Sequence, residues 1–172
     1  MPTSSDYIVK FFESKGVDHC FTVSGGGSIF LCDALARAER MKYVCCHHEQ
    51  AAGYAAEAYA RIRGLGLCIV TSGPGGTNAV SACAAAWLDS VPVVFISGQA
   101  FSHQTITKHP GLRQLGVQEI NIIDMVKPIT KYAVMVEDNV QAHLDTALSF
   151  ATTNRKGPVW LDIPGDVQNA SI

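Results

Sequence analysis

Charge is what this sequence has least of. Only 16% of its 172 residues are Asp, Glu, Lys or Arg, against roughly 25% in an average soluble protein. Hydrophobic residues make up 48%, which excludes intrinsic disorder, a coiled coil and a solvated tail. Thirteen basic residues stand against fifteen acidic ones, for a net charge of −2, so the basic footprint of a nucleic-acid binder is missing. No basic run precedes an apolar core, and no secretory leader is expected. The longest uncharged stretch, Gly64 to Leu88, is broken by Ser72-Gly73-Pro74-Gly75-Gly76-Thr77-Asn78, which does not suit a membrane-spanning helix. No Cys-x-x-Cys pair occurs among the six cysteines, each of which sits in mainly apolar sequence. They read as reduced, buried thiols of a cytoplasmic protein, and the length fits one domain of ~150 residues.

What the sequence does have is alternation. Short β-rich runs at His19–Val23, Tyr43–Cys46, Leu67–Thr71, Pro92–Ser97 and Val159–Ile163, with a sixth at Tyr132–Val136, are separated by helical patterns. Runs such as Leu67-Cys68-Ile69-Val70 and Val93-Val94-Phe95-Ile96 are apolar on both faces, as strands covered on both sides are. Ser4 or Ser5 is positioned to cap the first helix and Gly16 to end it. Asp138 is positioned to cap the helix that carries Val140, Leu144, Ala147, Leu148 and Ala151. The fold class expected is α/β, a doubly wound, mostly parallel six-stranded sheet with helices on both faces. The polar segment from Phe101 to Gly116 has no clear period. A loop that long in an ordered domain has a use, and it is expected at the carboxyl ends of the strands, where open α/β sheets bind ligands.

Three segments follow three strands and converge on that edge: Ser24-Gly25-Gly26-Gly27-Ser28, His47-His48-Glu49-Gln50 and Thr71–Asn78. Glycine lets a backbone approach a ligand, and free amides at a helix start favour an acceptor. Tight turns alone would explain either glycine segment equally well. No Walker loop and no Gly-x-Gly-x-x-Gly is present. Cys45-Cys46-His47-His48-Glu49 is not read as a metal site, because adjacent strand residues point to opposite faces and Ala52 stands where a second zinc-protease histidine would be. Glu49 opens a helix of small apolar residues. It could be a plain helix-dipole partner, or a buried acid able to share a proton near neutral pH. The helix from Thr77 to Leu88 carries no charge, which suits a subunit interface as well as a core.

In this order, His48-Glu49-Gln50-Ala51-Ala52, Tyr59-Ala60-Arg61, Thr71 to Asn78, Asp89-Ser90-Val91-Pro92-Val93, Gly98-Gln99 and Gly157 to Pro164 resemble the pyrimidine-binding domain of thiamine-diphosphate enzymes of the acetolactate synthase-like branch. The resemblance implies that Glu49 hydrogen-bonds N1′ of the cofactor's aminopyrimidine and promotes formation of the thiazolium ylide. It places Ser24, Gly25 and Gly26 along the pyrimidine, Pro74 and Asn78 against the same ring region, and Gln118 near the reacting centre. The implied activity is that of a transferase or lyase forming or cleaving C–C bonds of 2-oxo acids. The sequence departs from the family's usual pattern at Gly165, where a lysine is common, at Val117, where an aromatic is common, and in lacking a Tyr-Pro pair in the first loop. Substrate identity therefore stays open.

The resemblance also implies a second domain. The family holds the diphosphate and Mg²⁺ with a Gly-Asp-Gly…Asn motif, and none occurs in these residues. Residues 1–172 are expected to form a single pyrimidine-binding domain, the N-terminal part of a longer chain or one subunit of a split enzyme. Such a domain is expected to be inactive alone and active in a homodimer or tetramer, with FAD left open for the complete protein. Two other readings remain: a non-catalytic dimerisation or regulatory module, and a flavodoxin-like nucleotide-binding domain.

Overall fold

In the computed structural model, which describes residues 1–172, six parallel strands form one sheet: β1 (His19–Thr22), β2 (Lys42–Cys45), β3 (Gly66–Val70), β4 (Val93–Gln99), β5 (Ala133–Met135) and β6 (Val159–Pro164). Their order is β2-β1-β3-β4-β6-β5. The six expected strands are all present, within two residues of their expected ends, and the sheet is wholly rather than mostly parallel. The chain steps from β1 outward to β2, then returns to the other side of β1 as β3. The carboxyl ends of β1 and β3 therefore flank a topological switch point, where loops diverge and leave a crevice.

The central strands are apolar on both faces because both are covered. Leu67, Ile69, Val94, Ile96, Leu161 and Ile163 face one core. It is closed by α1 (Ser4–Ser14), α2 (Ile29–Arg37), α6 (Val140–Thr152) and the short α7 (Gly165–Asn169). Cys68, Val70, Val93, Phe95 and Trp160 face the other, under α3 (Glu49–Arg63), α4 (Pro74–Leu88) and α5 (Ile122–Val126). Gly53 of α3 faces α4 so closely that a Cβ there would stand 2.5 Å from the Ala82 Cβ. Small residues on both helices thus permit a close crossing, which fixes how the start of α3 sits beside the start of α4.

Several local expectations are corrected. The cap of α1 is Thr3, in a reciprocal capping box with Asp6; Ser4 and Ser5 are buried and bond the carbonyls of Ala170 and Gln168 instead. Asn139, not Asp138, caps α6, its Oδ1 accepting from the Ala142 amide. Only Cys20, Cys68 and Cys83 are buried, while Cys45 is exposed and Cys32 and Cys46 are half-buried. Cys45 lies on β2, an edge strand whose residues are all exposed. Burial raises the pKa of the three interior thiols and leaves them inert. No helix is long and apolar enough to cross a membrane.

Candidate functional site

The three predicted turns do meet at the carboxyl edge: the first packs on Thr71 and Ser72 of the third, and the second is joined to the third through Glu49 and Asn78. The Gly27 amide donates to Thr71 Oγ1 at 3.0 Å. A Cβ on Gly25 would stand 2.5 Å from the Thr71 Cβ, and one on Gly27 would stand 2.6 Å from Ser72 Oγ. The first loop is therefore glycine because the third presses against its backbone. Gly73 sits at φ 54°, and a Cβ there would meet the Gln118 carbonyl oxygen at 2.0 Å. That contact seats Gln118, itself at φ 54°, beside the third turn. The loop from Phe101 to Gly116 follows β4 as expected and folds into two 3-10 turns, Ser102–Gln104 and Ile106–Lys108.

Glu49 is the first residue of α3. His48 caps the helix, its Nδ1 accepting from the Gln50 amide at 3.1 Å, so the chain enters the helix with the Glu49 carboxylate in the positive field of its first turn. Pro74 opens α4 in the same way, with its missing amide at a position that needs none. Asn78, one turn on, donates from Nδ2 to Glu49 Oε2 at 2.9 Å. The other oxygen, Oε1, has no hydrogen bond within the chain and would lie 3.6 Å from a Cβ placed on Gly75. The sequence reading expected Glu49 to be buried. It is half-buried and the Asn78 bond lies at the surface, because nothing in these residues covers the α3–α4 mouth.

The predicted residues fall into two neighbouring groups on either side of the third turn. Glu49, Pro74 and Asn78 stand on one side. On the other, Gly26 and Gln118 line an open cleft of about 280 Å³ with Ser72, Phe30, Phe101 and Gln104. Gly25 packs on Thr71 between the groups, and Ser24 is exposed without a side-chain partner. The sequence pattern assigns Thr71 and Ser72 no role of their own, and it places Phe101 and Gln104 in the loop expected at this edge without singling either out. Thr71-Ser72 could have been found from its place between a buried strand and a glycine turn.

Joined to the cleft through Gln99, Asp162 of β6 is almost wholly buried (2% exposed). It accepts from Ser97 Oγ at 2.6 Å and from Gln99 Nε2 at 2.9 Å. Trp160 Nε1 donates to the same Ser97 oxygen at 2.8 Å, and Gln99 also donates to the Ile120 carbonyl. This network ties the sheet to the segment carrying Gln118. Burial, with the buried Glu119 carboxyl nearby, raises Asp162 to a pKa of about 7 despite the hydrogen bonds of Ser97 and Gln99.

An acid at a helix start, with an amide on one oxygen and glycine turns beside it at a switch point, occupies the place where proteins of the open α/β class bind small molecules. Residues 2–125 match the family described as thiamine pyrophosphate enzyme, N-terminal TPP binding domain, and the chain belongs to that family. It is 41% identical over 167 residues to acetolactate synthase 3, chloroplastic, of Brassica napus, covering 95% of this chain and 24% of that protein. Against the acetolactate synthase large subunit of Corynebacterium glutamicum it is 40% identical over 173 residues, 99% of this chain and 26% of that one. Against the acetolactate synthase isozyme 1 large subunit of Escherichia coli it is 35% identical, over 98% of this chain and 29% of the relative. The chain thus spans about a quarter of the length of the curated relatives it matches.

The residues fit the pyrimidine half of thiamine diphosphate. Oε1 of Glu49 is an acceptor without a partner, and Gly26 borders open space that a side chain would enter. They do not fit Mg²⁺, since no three His, Cys, Asp or Glu side chains gather in metal-holding geometry.

Proposed function

We propose that residues 1–172 are the pyrimidine-binding domain of an acetolactate synthase-like enzyme that forms or cleaves C–C bonds of 2-oxo acids, with Glu49 as its proton-handling acid. When bound, thiamine diphosphate supplies the nucleophilic carbon and accepts the electron pair released on C–C cleavage. Glu49 holds a proton between its carboxyl and N1′ of the aminopyrimidine. Asn78 fixes Oε2, so that Oε1 is the oxygen left to do so. Ser24, Gly25, Gly26 and Pro74 form the wall for the ring, with glycine where a side chain would intrude, and Gln118 orients the substrate from the adjoining cleft. The diphosphate and Mg²⁺, and FAD where it is used, belong to parts of the enzyme outside these residues. The α3–α4 mouth is closed by another domain or subunit in a homodimer or tetramer. Six free thiols suit a reducing compartment such as the cytoplasm.

The observation that carries this reading is the Asn78–Glu49 bond at 2.9 Å, which leaves one carboxylate oxygen presented at the mouth of a glycine-lined turn. In the complete enzyme, Glu49→Gln should lower turnover by at least about a hundredfold while leaving the circular dichroism and melting temperature unchanged. Wild-type turnover in that variant would remove Glu49 from the mechanism and leave the domain as a non-catalytic module.

A further inference from the structure

A second cleft, of about 260 Å³, lies at the opposite edge of the sheet. Its walls are Trp87 and Leu88 at the end of α4, Lys131 before β5, and Arg155 and Lys156 before β6. None of the three cations takes part in an ion pair with a carboxylate: Lys131 Nζ donates to the Thr153 carbonyl at 2.8 Å and Arg155 Nε to Ser90 Oγ at 2.7 Å. That leaves both terminal nitrogens of Arg155, and all of Lys156, without a protein acceptor. The neighbouring carboxylate, Asp89, is already engaged by Arg61. Three like charges thus line one concave surface of a chain whose net charge is −2, and a cleft lined by one sign focuses its field on an ion of the other.

The aromatic wall narrows the ligand class. Trp87 is 38% exposed, whereas Trp160, the other tryptophan, is fully buried. Gly157 lies between the indole and the Lys131 stem: a Cβ there would touch Trp87 Cε3 in ordinary contact at 3.9 Å and crowd Lys131 Cδ at 3.2 Å. We propose that this cleft binds a nucleoside monophosphate, its ring against Trp87 and its phosphate among Lys131, Arg155 and Lys156. Indole attracts planar rings, and a guanidinium with its terminal nitrogens free takes a phosphate in bidentate fashion. Nine residues separate Asn78 from Trp87 along α4, roughly 14 Å at the helical rise per residue. A ligand here is therefore an effector held away from Glu49, not a substrate.

Equilibrium dialysis of the complete enzyme with AMP and with inorganic phosphate, in low salt, tests the site. AMP should bind saturably with a dissociation constant below about 1 mM. Lys156→Glu combined with Arg155→Gln should weaken AMP at least about tenfold. Trp87→Leu should weaken AMP and leave phosphate unchanged, and Glu49→Gln should change neither. Binding of both ligands that resists the Lys156→Glu, Arg155→Gln change would place AMP elsewhere in the enzyme and overturn the proposal, as would absence of saturable binding. Equal affinity for AMP and phosphate, unmoved by Trp87→Leu, would refute the nucleoside part and leave an anion site only.

Discussion

Asp162 makes the domain's stability fall as the pH rises. Its carboxyl, buried against Ser97 and Gln99, is pushed up to about 7 in the fold, against 3.8 for the free group. Because the folded chain holds this proton to higher pH than the unfolded chain, the stabilisation is complete below about pH 4. It is lost as pH climbs through about 7 and changes no further above that. Each pH unit within the window is worth about 1.4 kcal/mol, so the drop from pH 5 to pH 8 is about 3 kcal/mol. Asp162→Asn removes the titration while keeping most of the geometry. Its Oδ1 can accept from Gln99 Nε2 and its amide can donate to Ser97 Oγ, which leaves the Ser97 hydroxyl proton without its acceptor at a cost of about 1 kcal/mol. At pH 8 the variant should be the more stable of the two, since it avoids burying a charge. Urea unfolding at pH 5, 6, 7 and 8, followed by tryptophan emission, measures both profiles. All other residues are common to the two proteins, so the comparison isolates position 162. A fall of equal size in wild type and variant would refute the assignment to Asp162.

Gly98→Ala should destabilise the chain by about 2 kcal/mol, because the new Cβ would stand 2.0 Å from the Gly27 carbonyl oxygen and must push the first loop off the sheet; thermal melting reads this directly. Asn78→Ala, at an exposed position, should change stability by less than about 0.5 kcal/mol. Loss of the bond to Glu49 should nonetheless lower turnover of the complete enzyme by about tenfold, and unchanged turnover would count against Asn78 as the residue that positions the acid.

The parallel sheet was legible because the strand runs are apolar on both faces, and Leu67–Val70 and Val93–Ile96 sit where that pattern put them. The two helix caps were misplaced by one or two residues because Thr3 and Asn139 have Ser or Asp as neighbours of nearly equal capping preference. Only the tertiary demand decides between them: Ser4 and Ser5 are taken up by the carbonyls of Ala170 and Gln168. Convergence of the three turns on one edge followed from topology alone. The partition of the site did not, since it depends on Gly73 admitting the Gln118 backbone, a contact 45 positions away in sequence. Nor did the Asp162 network announce itself, although an acid inside Val159-Trp160-Leu161-Asp162-Ile163 is out of keeping with a doubly covered strand and could have raised the question.

The open Glu49 carboxylate and the buried Asp162 carboxyl put two acids at the same edge of the sheet under opposite regimes. Asp162 is enclosed by its own chain, satisfied by Ser97 and Gln99, and its proton equilibrium is fixed when the domain folds. Glu49 is held by Asn78 on one oxygen only and keeps access to water. Enclosing such a carboxylate removes the solvent around it and strengthens its contacts with a ligand, and in this fold the covering surface must come from outside the 172 residues. Under the proposed function, the acid would be shielded from water only on assembly, so that an unpaired domain carries the right residues in an environment too wet for them to act.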